Sequence, residues 1–547
     1  MKKLGTVLSL LGLVIASALV LGACGSSSDS TSGSTTGGSL KFTESSYPDY
    51  MDPQLSYTAE GWEAMWNTYI PLLTYDHKAG EPGTKVIPGL AQDLPKITNG
   101  GKTYTLTLRK GLTYSNGQPV KASDFEFAVK RMFILNSGGS SFYTNIVGAE
   151  QFQKTKKGDI SGIKADEKTG EITIDLVNPS GTFNNELGLM FVAPVPQDTP
   201  LKDQSATPIP GTGTFEITKS DPGREFILER NPQWEKNNAK LMPQLPSAKV
   251  DKITETTVDN QSTQVNDIES NATDFMIDPP PPDRYAEVQS KYDGTQFRVE
   301  PTISTYYFWL NNKTAPFNDV KVRQAVNYAV EPDALSRIYS GQLAATQQIL
   351  PPGMPGYKKF ELYPYNLDKA KQLIKEANPS DRNITVWTDD EAPNDDAGTY
   401  LQDTLNKIGF NAKLKILNGD NYFTVIGNLS TPDLDAGFSD WFQDYPHPND
   451  FFQPLLDGES IQPTNNNNFA QTDIGSLNKQ QATLRQEQLT DAVKNQYSAM
   501  DKAYMEQAVW APYGNRTLAT FVSDRINFDK VYFHKVFNQD YTSFELK

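Results

Sequence analysis

Apolar residues at every second position predict strands with one buried face in the first third of the chain. Tyr104, Leu106 and Leu108 show this period, and Glu171–Leu176 alternates in the same way. Ser304–Leu310 is instead a run rich in aromatic and apolar residues, which is typical of a strand covered on both faces. The chain is therefore predicted to contain half-buried strands near its start and a buried strand near its middle.

A different spacing of apolar residues predicts amphipathic helices. After the buried strand, five apolar residues recur at the intervals of one helix face, namely Val322, Ala325, Val326, Ala329 and Val330. Earlier in the chain, Ser123 and Glu126 have the spacing of a capping box, in which two side chains satisfy free N–H groups at the start of a helix. We therefore expect one helix to begin near Ser123 and another to bury the face that carries Val322.

Strand and helix patterns alternate directly in one later region. Ile384–Thr388 is predicted as a strand, Thr399–Ile408 as a helix that ends at Gly409, and Ala412–Leu417 as a second strand. Strands joined by a helix in this order usually lie parallel in one sheet. The mixture of both periods predicts an α/β protein.

The segment Asp435–Leu456 combines many aromatic rings with few, well-separated carboxylates. Trp441, Phe442 and Tyr445 surround Asp444 in sequence. Two prolines follow, and each disfavours helical backbone in the residue before it. Asp444 is therefore predicted to lie on an irregular loop beside aromatic rings.

A carboxylate in this setting has two interpretations. Apolar rings lower the local dielectric constant, which strengthens the attraction of Asp444 for a cation and makes an unpaired charge costly. A ligand ammonium would satisfy it. Alternatively, the loop packs its rings into the core and Asp444 caps a turn. The residues of the segment leave both interpretations open.

Length and charge restrict the class of protein. A chain of 547 residues is long enough for two or three domains. Its formal net charge of −16 argues against nucleic acid as a partner, because phosphates require a basic face on the protein.

The N-terminus has the pattern of an exported lipoprotein. Lysines at positions 2 and 3, an apolar run over 4–21 and small residues before Cys24 form a secretory signal with its cleavage site. Leu-Gly-Ala-Cys at 21–24 resembles a lipobox, which implies cleavage after residue 23 and lipidation of the Cys24 thiol. Residues 24–39 are almost wholly Ser, Gly and Thr, a composition typical of a flexible tether. We therefore expect an extracytoplasmic protein that a lipid anchors to the cell membrane.

Catalytic and cofactor motifs are scarce in the sequence. His77, His447 and His534 lie far apart, and the single cysteine is the expected lipidation site Cys24, so no metal site is expected. Gly211 and Gly213 lack the third glycine and the lysine of phosphate-binding loops, so no nucleotide cofactor is expected either. A pair of catalytic carboxylates would be invisible in the sequence, and a secreted hydrolase therefore stays an alternative to a binding protein.

Several segments, in the same order along the chain, resemble the oligopeptide- and dipeptide-binding proteins that supply ATP-binding-cassette importers. Trp-Phe-Gln-Asp-Tyr-Pro-His-Pro at 441–448 is similar to the Trp-x-x-Asp-Tyr-x-x-Pro segment of that family. Arg-Asn-Pro-Gln-Trp at 230–234 is similar to its Arg-Asn-Pro-x-Trp element. The order from Leu-Thr-Tyr-Asp at 73–76 to Ala-Ser-Asp-Phe at 122–125 also resembles the family, as does Ser304–Val330.

The resemblance implies a two-lobe periplasmic-binding-protein-like fold of the type II, large peptide-binding class, with an extra subdomain. Two chain crossings, near Glu300–Thr305 and Ala508–Pro512, would join two lobes that close over the ligand. The implied division is a signal peptide at 1–23, a tether at 24–39, lobe I at 40–75, 201–303 and 508–547, an inserted subdomain at 76–200 and lobe II at 304–507.

The resemblance also implies a peptide site. Asp444 would take the α-amino group of the ligand, and the backbone of Asp440–Phe442 would pair with the peptide. The candidates for the lining of the site are Asp440, Trp441, Phe442 and Tyr445, together with Tyr57 and Ala59 on an earlier loop. The family also includes binders of oligosaccharides, and Trp and Tyr could stack on sugar rings, so this alternative stays open.

The resemblance further implies the partners of the chain. A peptide ligand would bind between the lobes, and the closed form would dock on a membrane permease whose energy comes from a separate ATPase. The protein would act as a monomer, held at the membrane through the lipid on Cys24, and as a carrier rather than an enzyme.

Overall fold

The computed structural model describes residues 37–547. The expected signal peptide at 1–23, the expected lipidation site Cys24 and nearly all of the expected tether at 24–39 lie outside the described residues. Regular structure begins at Ser39. Across residues 37–547, each helix is too short or too polar to cross a membrane.

The strands are numbered in chain order. They are β1 Ser39–Glu44, β2 Leu73–Tyr75, β3 Val86–Pro88, β4 Lys96–Thr98, β5 Thr103–Thr107, β6 Ile163–Asp166, β7 Glu171–Asp175, β8 Phe215–Asp221, β9 Glu225–Arg230, β10 Lys252–Thr257, β11 Phe275–Met276, β12 Phe297–Pro301, β13 Ser304–Leu310, β14 Leu343–Ala345, β15 Asn383–Asp389, β16 Asn411–Leu417, β17 Ala436–Phe442, β18 Trp510–Val522, β19 Phe533–His534 and β20 Asn538–Gln539.

The α-helices are numbered in the same way. They are α1 Ala59–Thr68, α2 Ser123–Ile134, α3 Ala149–Thr155, α4 Phe183–Glu186, α5 Ala239–Leu241, α6 Gln261–Glu269, α7 Pro282–Tyr292, α8 Val320–Ala329, α9 Pro332–Ile338, α10 Leu367–Ala377, α11 Asn394–Lys407, α12 Gly419–Ile426, α13 Asn449–Leu456, α14 Gly475–Leu484 and α15 Asp491–Glu506.

One twelve-stranded sheet connects the two halves of the protein. β16, β15, β17 and β13 lie at one end, β11, β1, β10, β9 and β8 lie at the other, and β18 joins them. β18 pairs first with β13 and then with β12, and its partner changes at Asn515–Arg516. The crossing between β12 and β13 agrees with the expected Glu300–Thr305. The second crossing comes later than the expected Ala508–Pro512, because β18 continues unbroken while its partner strand changes.

Two large hydrophobic cores lie on either side of these crossings. The first takes its buried side chains mainly from 40–275 and 522–544, and the second from 303–513. This is the two-lobe α/β architecture that the sequence predicted. A separate four-stranded antiparallel sheet, β4-β5-β7-β6, packs its apolar face into the first core. No gap in packing therefore marks off an inserted subdomain at 76–200, and the division into domains stays a prediction.

The alternating segments and the helix face form the predicted elements. Tyr104, Leu106 and Leu108 are at most 5% exposed, and Tyr104 of β5 lies opposite Ile174 of β7. The five apolar residues predicted on one face of α8 are all buried. β13 is buried along its whole length. Its side chains belong to the second core, and β17 and β18 pair with its two edges.

The predicted strand-helix-strand unit forms with a longer helix. β15 and β16 pair in parallel, with Asn383 opposite Asn411. The helix between them, α11, begins at Asn394 rather than at the predicted Thr399. Gly398 lies inside it because the helix packs closely on β15, where a Cβ on this residue would come within 2.7 Å of Thr388.

The capping box predicted for α2 does not form. The helix begins at Ser123, and no side chain caps its first residues in the expected way. Asp124 accepts the main-chain N–H of Lys121 at 2.9 Å, and Glu126 pairs with Lys130 at 2.7 Å. The prediction was wrong because Ser123 is the first residue of the helix rather than its cap.

Candidate ligand-binding site

A cavity of about 330 Å³ lies between the two cores. This volume is near the lower limit of small-molecule sites, which span roughly 300–1,000 Å³. The first core contributes the loop and first turn of α1, the segment after β11 and a C-terminal segment, within 45–63, 277–279 and 536–538. The second contributes the loop after β15, part of α12, β17 with its following loop, and an asparagine-rich loop, within 389–394, 419–424, 438–444 and 465–469.

The two halves contact each other directly around this cavity. The Tyr57 hydroxyl donates to Asp444 at 2.7 Å, the Asn465 amide donates to the Asn136 carbonyl at 2.8 Å, and the Ser46 hydroxyl donates to the carboxylate of Glu391. Hydrogen bonds at three places therefore join the two halves around the cavity.

β17 offers an unpaired edge to the cavity. Its full length, Ala436–Phe442, pairs with β13, whereas β15 pairs with it only at Ala436 and Gly437. Gly437 permits this close approach, because a Cβ there would come within 2.5 Å of the Trp387 carbonyl. Beyond Gly437, within the part of the chain that the structure describes, no strand pairs with the second edge of β17. Phe438 and the segment 440–442 line the cavity there.

Asp444 lies on the loop between β17 and α13, as predicted. The Pro446 and Pro448 rings separate the strand from the helix. The main-chain N–H of Asp444 donates to the carboxylate of Asp450 at 2.9 Å, which fixes the loop on the first turn of α13. One carboxylate oxygen of Asp444 accepts the Tyr57 hydroxyl, and the residue lines the cavity.

Burial makes the Asp444 carboxylate costly to ionise. Asp444 is 5% exposed and Asp450 is fully buried. Burial raises the pKa of Asp444 to about 8, and burial followed by the charge of Asp444 raises the pKa of Asp450 well above its ordinary value. Among the groups that shift these two pKa values, all taken from residues 37–547, there is no basic side chain.

His447 does not supply the missing positive charge. It is 2% exposed, and its Nδ1 accepts the main-chain N–H of Asn449 at 3.1 Å. Burial lowers the pKa of His447 to about 3. The imidazole is therefore neutral at neutral pH, and the two buried carboxyl groups stay without a cationic partner on that side.

Aromatic packing positions Tyr57 opposite Asp444. Its ring stacks on Trp62, with 5.6 Å between ring centroids, and meets the edges of Phe191 and Trp441 at 4.8 and 5.8 Å. Asp49 accepts its main-chain N–H at 3.0 Å. Tyr57 and Trp441 therefore pack against each other on the cavity wall, where the Tyr57 hydroxyl meets Asp444.

The cavity wall is strongly acidic. Nine of its residues are carboxylic acids and one is basic, namely Asp49, Glu60, Glu63, Asp278, Asp389, Glu391, Asp420, Asp440 and Asp444 against Arg516. Burial raises the pKa of Asp440 to about 6, although the Tyr306 hydroxyl and the charge of Arg516 act in the opposite direction. The wall therefore attracts cations and repels anions except near Arg516.

Arg516 carries a buried charge that forms no ion pair with a carboxylate of residues 37–547. It is 7% exposed, lines the cavity from β18, and its Nε has no hydrogen-bond partner. Its guanidinium lies over the rings of Tyr306 and Tyr339, at 5.5 and 5.4 Å from their centroids. Its side-chain hydrogen bond is a long one, 3.4 Å to the Gln342 amide oxygen.

The structure brings most of the predicted site residues together. Those that line the cavity are Asp440, Trp441, Phe442, Asp444, Tyr57 and Ala59. Tyr445 is not brought to the wall. It is fully buried and packs into the first core, where its ring lies 5.8 Å from Phe142. The loop therefore presents Asp444 to the cavity and Tyr445 to the opposite side.

Sequence reasoning missed the acidic residues outside 440–444 and the single arginine. Glu60, Asp278 and Glu391 lie on loops and helix ends whose apolar periods carry no sign of a site. Arg516 lies in β18, which the sequence predicts only as a crossing between the lobes. Only the meeting of the two lobes brings these groups together. Within residues 37–547, no cluster of three or more His, Cys, Asp or Glu side chains has the arrangement of a metal site.

Comparison with known proteins identifies relatives over most of the chain. Residues 85–462 match the family model described as bacterial extracellular solute-binding proteins, family 5 Middle. The periplasmic oligopeptide-binding protein OppA of Salmonella typhimurium is 26% identical over 66% of this chain and 67% of its own length. The dipeptide-binding protein DppE of Bacillus subtilis is 25% identical over 76% of each chain.

A solved structure has the same fold over nearly the whole chain. The periplasmic binding protein DppA of Helicobacter pylori, in complex with the peptide STSA, superposes with a TM-score of 0.78 and 22% sequence identity. The match covers 94% of this chain and 98% of that one. The two proteins therefore share the two-lobe architecture. At this level of sequence identity the similarity supports a common fold and nothing more specific.

Proposed function

The chain belongs to the bacterial extracellular solute-binding proteins of family 5, and from that premise we propose that it captures peptides outside the cytoplasm for an ATP-binding-cassette importer. Relatives named for binding oligopeptides and dipeptides support the ligand class. The membrane permease and its ATPase are the partners that such a carrier requires. The protein acts as a carrier, so a peptide incubated with it should be recovered unchanged.

The observation that carries this proposal is the position of Asp444 beside the free edge of β17. An extended peptide can pair with such an edge through main-chain hydrogen bonds. These bonds provide affinity that does not depend on the side chains of the peptide. The backbone of Asp440–Phe442 is the proposed partner strand. A peptide that begins at Asp444 would place its α-ammonium against a buried carboxylate that has no cationic partner among residues 37–547.

The size and closure of the cavity favour a short peptide. Its volume of about 330 Å³ suits a small ligand, and hydrogen bonds between the two halves surround it. Trp441, Phe442 and Tyr57 would cover the first residues of the peptide. A charge-assisted hydrogen bond contributes roughly 1.5–3 kcal/mol, and it is stronger where water is excluded.

A four-way calorimetric comparison tests the role of Asp444. Asp444→Asn should weaken peptide binding at least ~10-fold, which corresponds to about 1.4 kcal/mol. Acetylating the peptide amine should weaken binding to the natural protein by a similar factor, yet add little in the variant, because both changes remove the same interaction. Asp396→Asn, at an exposed carboxylate of α11 outside the cavity, is the matched control and should leave affinity unchanged.

Additive losses would show that Asp444 does not contact the amine, and a peptide that binds Asp444→Asn at full strength would end the proposal. Undiminished binding of a neutral oligosaccharide to the same variant would support the sugar-binding alternative. Steady release of hydrolysed ligand, at rates on the order of one per second, would support an enzyme instead.

We further propose that Cys24 anchors the protein through a diacyl lipid. Two acyl chains hold a protein stably at a membrane, whereas binding through a single acyl chain is marginal. The support is the Leu-Gly-Ala-Cys segment and the Ser- and Gly-rich tether that follows it. Cys24→Ala should release the protein into the soluble fraction of cells. A variant that stays with the membrane as fully as the natural protein would contradict this assignment.

A further inference from the structure

The centre of the cavity holds more negative charge than a peptide backbone can balance. With Asp444 assigned to the α-ammonium, eight further carboxylates line the same cavity, and the charges of four of them act on one another. Glu60 and Asp278 come from the first core, at the start of α1 and just after β11. Glu391 and Asp440 come from the second, just after β15 and within β17. Closure of the two halves brings the two acidic pairs together.

These carboxylates affect one another strongly. Burial raises the pKa of Glu60 to about 7, and the charges of Asp278 and Asp440 add to this effect. Burial also raises the pKa of Glu391 to about 8, with further contributions from Asp278 and Glu60. Neighbouring carboxylates of like charge disfavour full ionisation of the group. A cation between them would remove that cost.

One acidic side chain of this group has few hydrogen-bond donors. Within the described residues, the Glu60 carboxylate meets no donor other than its own main-chain N–H. Outside the cavity wall, Glu44 is 1% exposed and, among residues 37–547, its carboxylate has no partner other than the neighbouring carboxyl of Glu255. Asp278, by contrast, accepts the main-chain N–H and the hydroxyl of Ser45. A buried carboxylate without donors is stabilised by a positive group.

Arg516 is an independent sign of the ligand in the same cavity. Its guanidinium is nine-tenths buried, its Nε has no partner, and no ion pair within 4 Å joins it to the acids among residues 37–547. Asp278 and Asp440 influence it only at longer range. An unpaired, desolvated guanidinium binds a carboxylate well, because its planar N–H groups match the two oxygens.

An apolar surface lies beside the acidic pairs. Phe423, Phe438 and Phe469 line the cavity, and Phe423 remains 38% exposed. The rings of Phe423 and Phe469 stack at 6.0 Å. Long basic side chains place their methylene stem on such a surface and keep the charged head in a polar one.

We propose that the cavity selects a short peptide with a basic side chain, whose charged head lies among Glu60, Asp278 and Glu391 while the peptide carboxylate lies at Arg516. This inference rests on the proposed function and specifies its ligand. The ligand then carries three charged groups, and each meets a group of opposite sign on the cavity wall. The stem of the basic side chain packs against Phe423 and Phe438.

Calorimetry with matched tripeptides tests the selection. Three peptides place lysine at the first, second or third position among alanines, and three counterparts carry norleucine, which keeps the methylene stem without the charge. At one position or more, lysine should bind at least ~10-fold more tightly than norleucine. Glutamate at that position should bind more weakly than alanine. Amidation of the peptide carboxylate should weaken binding at least ~10-fold.

Variants assign the two charge contacts. Glu60→Gln and Glu391→Gln should each lower the ratio of lysine to norleucine affinity, while Asp396→Asn should leave it unchanged. Arg516→Met should abolish the difference in affinity between peptides with a free and an amidated carboxylate. If a variant does not fold, calorimetry of the natural protein with the peptide series still tests the inference.

Equal binding of lysine and norleucine peptides at all three positions would overturn the inference. If trialanine still bound with the dependence on Asp444, the proposed function would stand and only its specificity would be wrong. Failure of all peptides to bind would overturn the proposed function and the inference together.

Discussion

Two buried aspartates of this protein, Asp52 and Asp444, differ in what neutralises them. Asp52 is fully buried and forms a two-pronged ion pair with Arg131, which is also fully buried. It accepts the main-chain N–H of Gln204 as well, at 3.0 Å. Asp444 is 5% exposed, accepts one tyrosine hydroxyl and lies against a second buried carboxyl group, that of Asp450.

The partners of Arg131 complete the first arrangement. Its guanidinium donates to Asp52, to the Gln54 side chain and to the carbonyls of Pro200 and Lys202. All of these groups belong to the folded chain itself. The pair therefore stabilises the fold and has no vacant position for a ligand.

Asp444 lacks an equivalent of Arg131 within the part of the chain that the structure describes. The comparison shows how a structural carboxylate and a binding carboxylate differ at equal burial. The first has its counter-charge in the fold, and the second faces a cavity without a counter-charge among residues 37–547. We propose that a positive group of the ligand takes the place at Asp444 that Arg131 has at Asp52.

Removing the charge of Asp52 should produce the largest loss of stability. Asp52→Asn leaves Arg131 buried without its counter-ion, which should lower the free energy of unfolding by about 3–5 kcal/mol. Asp444→Asn replaces a carboxyl group that is already neutral in the ligand-free protein at neutral pH, so the free energy of unfolding should change little. Urea denaturation of both variants measures the difference. Equal destabilisation by the two substitutions would mean that Asp444 is a structural carboxylate too.

Acid should weaken peptide binding through Asp444. Burial raises the pKa of Asp444 to about 8 in the ligand-free protein, so the group is protonated there at pH 5 to 7. An ammonium requires the ionised form, and binding therefore releases a proton. The peptide amine stays largely protonated over this range. Affinity should fall as the pH falls, by up to about tenfold per unit for one coupled proton.

Calorimetry at pH 5, 6 and 7, in buffers with different ionisation enthalpies, measures the number of protons released. The same series on Asp444→Asn should show a flatter dependence. A flat profile for the natural protein, with no proton released, would mean that Asp444 is already ionised and has a partner that the comparison with Asp52 leaves out.

Removing the Tyr57 hydroxyl should have the smallest effect. Tyr57→Phe keeps the ring stack on Trp62 and deletes one donor to Asp444, which makes the ionised carboxylate harder to form. Peptide affinity should fall by about 1 kcal/mol, with little change in stability. Tyr143→Phe is the control, since its hydroxyl donates to the Glu186 carbonyl in the first core. A similar loss of affinity in both variants would place the effect in core packing.

The sequence predicted the elements better than the meeting of the lobes. Alternation predicted β5 and β7, and the prolines after Asp444 predicted its loop, because these are local properties of the backbone. Tyr445 has the same aromatic neighbours in sequence as Asp444, yet it packs on Phe142. The side of the loop on which a side chain packs depends on the residues that it contacts, and those residues are distant in sequence.

The acidic wall was beyond sequence reasoning for the same reason. The sequence around Glu60, Asp278 and Glu391 indicates only helix starts and loops, where carboxylates are common on any soluble protein. Their shared burial follows from contact between the two halves, as at Ser46 and Glu391. Periodicity predicts which face of an element is buried, and it says nothing about which loops meet.

Mass spectrometry of the ligand that denaturation releases from freshly purified protein tests the central claim most directly. We expect short peptides with a free amino terminus, recovered intact and in an amount close to that of the protein. Chemical labelling of amines before and after denaturation should show that the α-amino group is protected only in the complex. A neutral oligosaccharide, or a ligand whose amine is blocked or remains reactive in the complex, would contradict the assignment of Asp444.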